Sequence, residues 1–191
     1  MLNIDVESLA KTINSKVSSA AAKVHKPVTD GGGDSLIEVA AESIHAVAEA
    51  LKNDGFNVLQ VISGVDYVDF LEVNYMFARF DLNNPGQFTL KVRLKDRVNP
   101  AVDTISDVYP AADWQERECY DMLGVKFNNH PDLRRILCPD DWEGFPLRKD
   151  YEVQEYYRDM KVNPDEKMNL ADREFAKRQE EINNAQNKAS H

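Results

Sequence analysis

The stretch FTLKVRL, residues 88–94, alternates without a break: Phe88, Leu90, Val92 and Leu94 fall on one side, Thr89, Lys91 and Arg93 on the other. Successive side chains of a β-strand point to opposite faces, so this pattern predicts a strand with one face on a core and a polar face toward water. Two β-rich runs precede it, FNVLQVIS (56–63) and DFLEVNYMFARF (69–80). Ser63-Gly64 reads as a turn between them, and Asn83-Asn84-Pro85-Gly86 separates the second run from FTLKVRL. Further out, AAKVHKPV (21–28) and SLIEVA (35–40) flank TDGGGD, which predicts a β-hairpin.

Helical periodicity brackets these strands. Leu2, Val6, Leu9, Ile13 and Val17 recur at spacings of three and four, with Asn3 or Asp5 near the start. Ile44, Val47, Ala48 and Leu51 repeat in the same way, with Glu42 or Ser43 before them and Gly55 as the stop. Thr104-Ile105-Ser106-Asp107 has the form of a helix-opening box. Pro110 starts a second turn leading into AADWQERECYDML (111–123), which Gly124 ends. Strands followed by helices indicate the α+β class: a small, mostly antiparallel sheet with helices on one face, over residues 1–124.

After Gly124 the texture changes. From Val125 to Tyr151 the chain shows neither period, is broken by Pro131, Pro139 and Pro146, and still carries Phe127, Trp142, Phe145 and Tyr151. Such a segment builds no core of its own and is expected to lie as an extended arm on another surface. Residues 152–191 read as a polar, charged tail with an exposed helix around Glu166 to Asn187.

Charge narrows the function classes. With 33 acidic against 23 basic residues the net charge is −10, and the bases are interspersed, so no basic face exists to neutralise nucleic-acid phosphates. No apolar run approaches the roughly 18 residues of a membrane span, and MLNIDVESLAKTINSKV has no secretory pattern, so a soluble cytosolic chain is expected. Cys119 and Cys138 form no CxxC pair and have no His at ligand spacing. They are expected to be free thiols, with no zinc or iron–sulfur cluster.

The densest cluster of chemical groups is Glu116, Arg117, Glu118, Tyr120 and Asp121, then His130, Arg134, Arg135, Asp140, Asp141 and Trp142. On a helix Arg117 and Asp121 are spaced for an ion pair. The helix is charged nearly all round, which suggests polar partners outside the domain. A His near carboxylates can serve as a general base and a Cys as a nucleophile, but no nucleophile, base and orienter stand at a recognisable spacing. Gly31-Gly32-Gly33 lacks the Lys-Ser/Thr of a phosphate loop and is expected to be a turn.

ERECYDMLGVKF (116–127), HPDLRRIL (130–137) and DWEGFPLRKDY (141–151), in one fixed register, resemble the signature of the thirty-kilodalton (C-type) subunit family of complex I. Where that family has glycine before the His-Pro pair, this chain has Asn129, the residue that best tolerates a left-handed backbone in its place.

The resemblance implies a structural subunit in the hydrophilic arm of a proton-translocating NADH-quinone oxidoreductase. It implies no flavin, iron–sulfur cluster or other cofactor in this chain and no catalytic residue, with flavin and clusters in partner subunits and quinone as the substrate of the whole. Partners would be the forty-nine-kilodalton (D-type) subunit and the cluster-bearing B-type subunit, with the I-type subunit as a further candidate. Membrane association, at the cytoplasmic face of the inner membrane, would be indirect. Partner-binding roles fall on Glu116, Arg117, Glu118, Asp121 and His130. Arg134, Arg135, Arg148 and Lys149 would make charge-assisted hydrogen bonds, and Trp142, Phe145 and Tyr151 would be apolar anchors. Arg134 and Arg135 point in opposite directions on an extended chain, so one would grip the partner while the other reaches back to Glu116 or Glu118. Two other readings stay open: the same subunit in a sister complex with a ferredoxin or deazaflavin donor or evolving hydrogen, and a free-standing assembly or binding module.

Overall fold

Asp5 opens the first helix, α1 (Val6–Lys16): its carboxylate accepts the amides of Glu7 and Ser8 at 3.1 and 3.3 Å, partners that a first helical turn lacks. The computed structural model describes residues 4–26, 36–81 and 84–162. The predicted hairpin forms from β1 (Lys23–His25) and β2 (Leu36–Val39), an antiparallel pair whose intervening turn lies outside the described residues. Helix α2 (Ile44–Asn53) leads to three nine-residue strands, β3 (Val58–Asp66), β4 (Leu71–Arg79) and β5 (Gly86–Leu94).

Their order is β1-β2-β5-β4-β3, with β2 parallel to β5 and every other neighbour antiparallel. Register puts Ile37, Leu90, Tyr75 and Ile62 in one row across the sheet and Val39, Val92, Val73 and Gly64 in the next. These rows face the helices. Leu9 and Ile13 of α1 and Ile44, Val47 and Leu51 of α2 are buried with them in one core. Burying each such aliphatic side chain contributes about 1.5–3 kcal/mol, which is what fixes the register of these strands.

Gly64 is not in a turn. β3 runs through Ser63-Gly64, paired with Asn74 and Val73 of β4, and a Cβ at Gly64 would stand 2.2 Å from Cδ1 of Leu123 on the helix that packs there. Glycine here admits a helix rather than bending a strand. Lys91, expected among solvated side chains, is instead largely buried between Glu72 at 3.4 Å and Glu38 at 3.8 Å.

Beyond the sheet come β6 (Ala101–Asp103), α3 (Ala112–Leu123) and β7 (Lys126–Asn128), the last pairing parallel with β6. The strand at 126–128 falls in the arm, where the sequence pattern predicts none. The helix-opening box at Thr104–Asp107 is corrected as well: α3 begins at Ala112, and the Thr104 hydroxyl, bonded to Glu116 of that helix, accepts the Ser106 amide of a separate turn rather than an amide of α3. Gly124 ends α3 with φ +74°, as its position predicts.

The chain divides into two compact units at Tyr151/Glu152. In the second, β8 (Tyr156–Tyr157) and β9 (Met160–Lys161) make a small antiparallel hairpin not foreseen in a polar tail. The helix expected around residues 166–187 lies outside the described residues.

Candidate functional site

The motif residues gather at α3 and the segment that follows β7. Ala112, Glu116, Cys119 and Leu123 lie on one stripe of α3, spaced four, three and four, and all are buried. Glu116 thus occupies an apolar position, 0% exposed, where its carboxylate receives the Ile105 amide at 2.9 Å and the Thr104 hydroxyl. Burial pushes its pKa up to about 7.

Asp121, on the neighbouring face, is also 0% exposed. One of its oxygens accepts three consecutive amides, Ile136, Leu137 and Cys138, at 3.0, 2.7 and 2.8 Å, and the other accepts Arg135 at 2.7 Å. Burial alone would raise its pKa, but the Cys138 and Leu137 amides and the Arg135 guanidinium outweigh that and hold it below the ordinary value. Three amides converging on one oxygen make an anion nest, here filled by the chain's own carboxylate.

The same segment closes the end of α3. Gly124 donates its amide to Tyr120 O at 2.8 Å, Arg135 reaches Asp121 O at 3.2 Å, Leu147 donates to Met122 O at 3.0 Å and Arg148 Nε to Leu123 O at 2.7 Å. All four carbonyls that a helix leaves without internal partners are therefore taken, two of them by cations at the negative end of the helix dipole. A Cβ on Gly124 would meet the Phe145 ring at 2.5 Å, and that ring lies under Arg135 and Arg148 at 5.4 and 4.9 Å.

A second lock ties the segment to the β3–β4 turn. Asp66 accepts the amides of Val68 and Lys149 at 2.8 and 2.9 Å and Arg97 at 2.7 Å, and Arg97 also meets Asp150 at 3.1 Å. Burial raises the Asp66 pKa, and the two amides with Arg97 more than reverse it. Trp142 Nε1 donates to Tyr151 OH at 3.1 Å.

A family model described as "Respiratory-chain NADH dehydrogenase, 30 Kd subunit" matches residues 37–157, well over half of the chain. The chain belongs to that family. Among curated relatives, the C-type subunit of NADH-quinone oxidoreductase from Chloroherpeton thalassium is 47% identical over 56% of this chain. The C-type subunit from Geobacter sulfurreducens is 41% identical over 64% of the chain. The J-type subunit of NAD(P)H-quinone oxidoreductase from Prochlorococcus marinus is 38% identical over 65% of it. The chain spans 44% of the first relative's length and 76% of each of the other two. In fold it resembles a trypsin-resistant fragment of Nqo5 (TM-score 0.56, 24% identity), covering 68% of this chain and all of that one. It also resembles a chain of the membrane-bound sulfane sulfur reductase, an archaeal respiratory membrane complex (TM-score 0.64, 23% identity, 87% and 99% covered).

Within this thirty-kilodalton-family chain the motif faces both ways. Of the residues given partner-binding roles, Glu116, Arg117 and Asp121 are buried within their own chain. Arg117 does not pair with Asp121. Its Nε donates to Arg134 O at 3.2 Å, its NH1 lies 3.8 Å from Asp132, and it covers the Trp114 ring. Arg135 does reach back, to Asp121 rather than to Glu116 or Glu118. His130 is spent internally too, with Nε2 donating to Asp113 O and Nδ1 accepting the Asp132 amide, both at 3.1 Å. Phe145, Arg148, Trp142 and Tyr151 engage their own unit in the contacts above. Glu118, Arg134 and Lys149 remain exposed. Beside them the structure exposes residues that the sequence pattern does not single out: Trp114 at 69%, Leu137 at 62% and Leu147 at 61%. Asn129 holds φ +62°, the left-handed turn that its place before His-Pro requires.

Proposed function

We propose that this chain is a structural, non-catalytic subunit of a quinone-reducing respiratory complex, docking on the forty-nine-kilodalton-type subunit beside the cluster-bearing one and reaching the cytoplasmic face of the membrane only through them. The observation that carries this reading is the internal use of the motif. Glu116, Asp121, His130, Arg135 and Arg148 fold the arm onto α3 instead of converging on an open cleft, and what they hold outward is an apolar and charged surface of Trp114, Glu118, Arg134, Leu137 and Leu147. Exposed Trp and Arg are the side chains that anchor protein interfaces, and exposed Leu adds apolar area to bury. The chain would carry no flavin, iron–sulfur cluster or metal of its own.

The test is to place Leu137→Glu in the native complex and measure both assembled complex and quinone reductase activity per complex. Assembly should fall while activity per assembled complex holds. Normal assembly with lost turnover would sink the structural reading. Metal analysis and a visible spectrum of the anaerobically purified chain check the cofactor statement, and stoichiometric iron or flavin would overturn it. The likeness to the sulfane sulfur reductase chain is one of fold, so a sister complex with another donor is the second reading, decided by which subunits co-purify in the native complex.

A further inference from the structure

Among the described residues, Glu116 sits in the apolar stripe of α3 with no cation closer than the ring of His130, whose Nε2 is 3.9 Å away. That ring gives its Nε2 proton to Asp113 O and accepts on Nδ1, the pattern of a neutral imidazole. The remaining groups facing Glu116 are neutral or negative. Asp113 on its own helix and Asp107 on the preceding turn oppose a further negative charge. Tyr75 of the sheet and Cys119 of the helix are both pushed up by burial and stay protonated at neutral pH. Arg117 is engaged elsewhere, with Arg134, Asp132 and Trp114.

We propose that Glu116 exchanges a proton with solvent near neutral pH while the chain stays folded, and that losing it reverses a buried hydrogen-bond chain, Glu116–Thr104–Ser106, making the turn before α3 a proton-responsive latch. Proton counting shows that this geometry accommodates both protonation states. The Thr104 hydroxyl has one proton and lies within reach of two oxygens, Glu116 Oε2 and Ser106 Oγ at 2.8 Å, while it accepts the Ser106 amide at 3.1 Å. With Glu116 protonated, its O–H donates to Thr104 and Thr104 donates to Ser106. With Glu116 ionised, Thr104 turns to donate to the carboxylate and the Ser106 hydroxyl donates to Thr104. The chain runs from a sealed carboxyl to a half-buried serine, so the proton has a way out.

A second titrating contact sits on the same turn: His45 meets Asp107 at 2.8 Å, and its pKa is raised first by that hydrogen bond. Both groups bind protons more tightly folded than unfolded. For Glu116 the contribution is full below the ordinary value of 4.5 and is lost as pH climbs through about 7. His45 adds a loss in the same direction as pH rises through its raised value. Alkaline conditions therefore loosen the turn twice over.

The test is a side-chain carboxyl NMR titration of the full chain labelled on glutamate. One carboxyl should titrate with a midpoint near 7 and be missing from Glu116→Gln. Thr104→Val should move that midpoint further up, because the hydroxyl stabilises the ionised form. A set of glutamates that all titrate near about 4.3 overturns the proposal, as does a Thr104→Val midpoint that is unchanged or lower. The Tm of the wild type should fall between about pH 5 and pH 8, and His45→Gln should retain part of that fall. A Tm level across this window in both also overturns it.

Discussion

Asp121 and Arg135 stand 14 positions apart and meet at 2.7 Å, and the carboxylate between them and three successive amides is sealed from solvent. Replacing Asp121 by Ala strands the guanidinium and three amides together. Removing one partner of a buried charged pair typically costs about 3–5 kcal/mol, because the other charge is left uncompensated. Urea unfolding of the full chain should register a loss of that size, with Asp121→Asn in between because it keeps one acceptor oxygen. A loss under about 1 kcal/mol for the alanine variant would mean that the arm is held by something else.

Arg134 and Arg135 are neighbours in sequence and opposites in effect. Arg134 is 67% exposed and bonds Asp132 two residues away, an exposed pair of the kind that contributes little to stability. Arg135→Ala should therefore lower stability and, through it, assembly. Arg134→Ala should leave the Tm of the chain within about 2 °C and lower assembly alone, since its loss is felt at the partner. Equal Tm losses for the two variants would contradict this division.

Gly124 needs both a left-handed backbone and an absent side chain. Gly124→Ala costs about 1–2 kcal/mol for the backbone alone and also drives Cβ into the Phe145 ring. Combining it with Phe145→Leu should recover part of the loss by making room, while the backbone share persists. Additive destabilisation in a double-mutant cycle would show that the ring and the glycine do not touch.

Acid should release the arm. Asp121 and Asp66 have folded pKa values below the ordinary 3.8, so their contribution is present above that value and is lost as pH falls through the depressed folded values. Protease cleavage between residues 136 and 150 should rise below about pH 4, and Asp66→Asn should move that onset toward higher pH. Resistance unchanged down to about pH 2 would rule out both carboxylates as the locks.

The strands of the five-stranded sheet, the helices that pack on it and the α+β class are legible in the sequence because they follow from periodicity within short windows, whereas the short strands β7, β8 and β9 have too few residues to show a period. FTLKVRL forms β5 and the spacing from Ile44 to Leu51 forms α2 for that reason. Gly64 reads as a turn because a turn and a close helix contact both call for glycine, and only the position of Leu123 separates them. Glu116 reads as a partner contact because a charged residue suggests solvent, although its place on the stripe of Ala112, Cys119 and Leu123 points inward. The Asp66 lock leaves no trace in any local pattern, since Asp66 and the Lys149 amide lie 83 positions apart.

The closure of α3 by residues 135–148 inverts a common assumption about loops. Amides in segments without helix or strand usually exchange readily with solvent water, yet the Ile136, Leu137 and Cys138 amides point at a sealed carboxylate. Deuterium can reach them only when Asp121 and Arg135 part, an event that also uncaps the helix. In a hydrogen-exchange map this coil should therefore belong to the slow core, exchanging together with the last turn of α3, while regular strand at the free edge of β1 exchanges first.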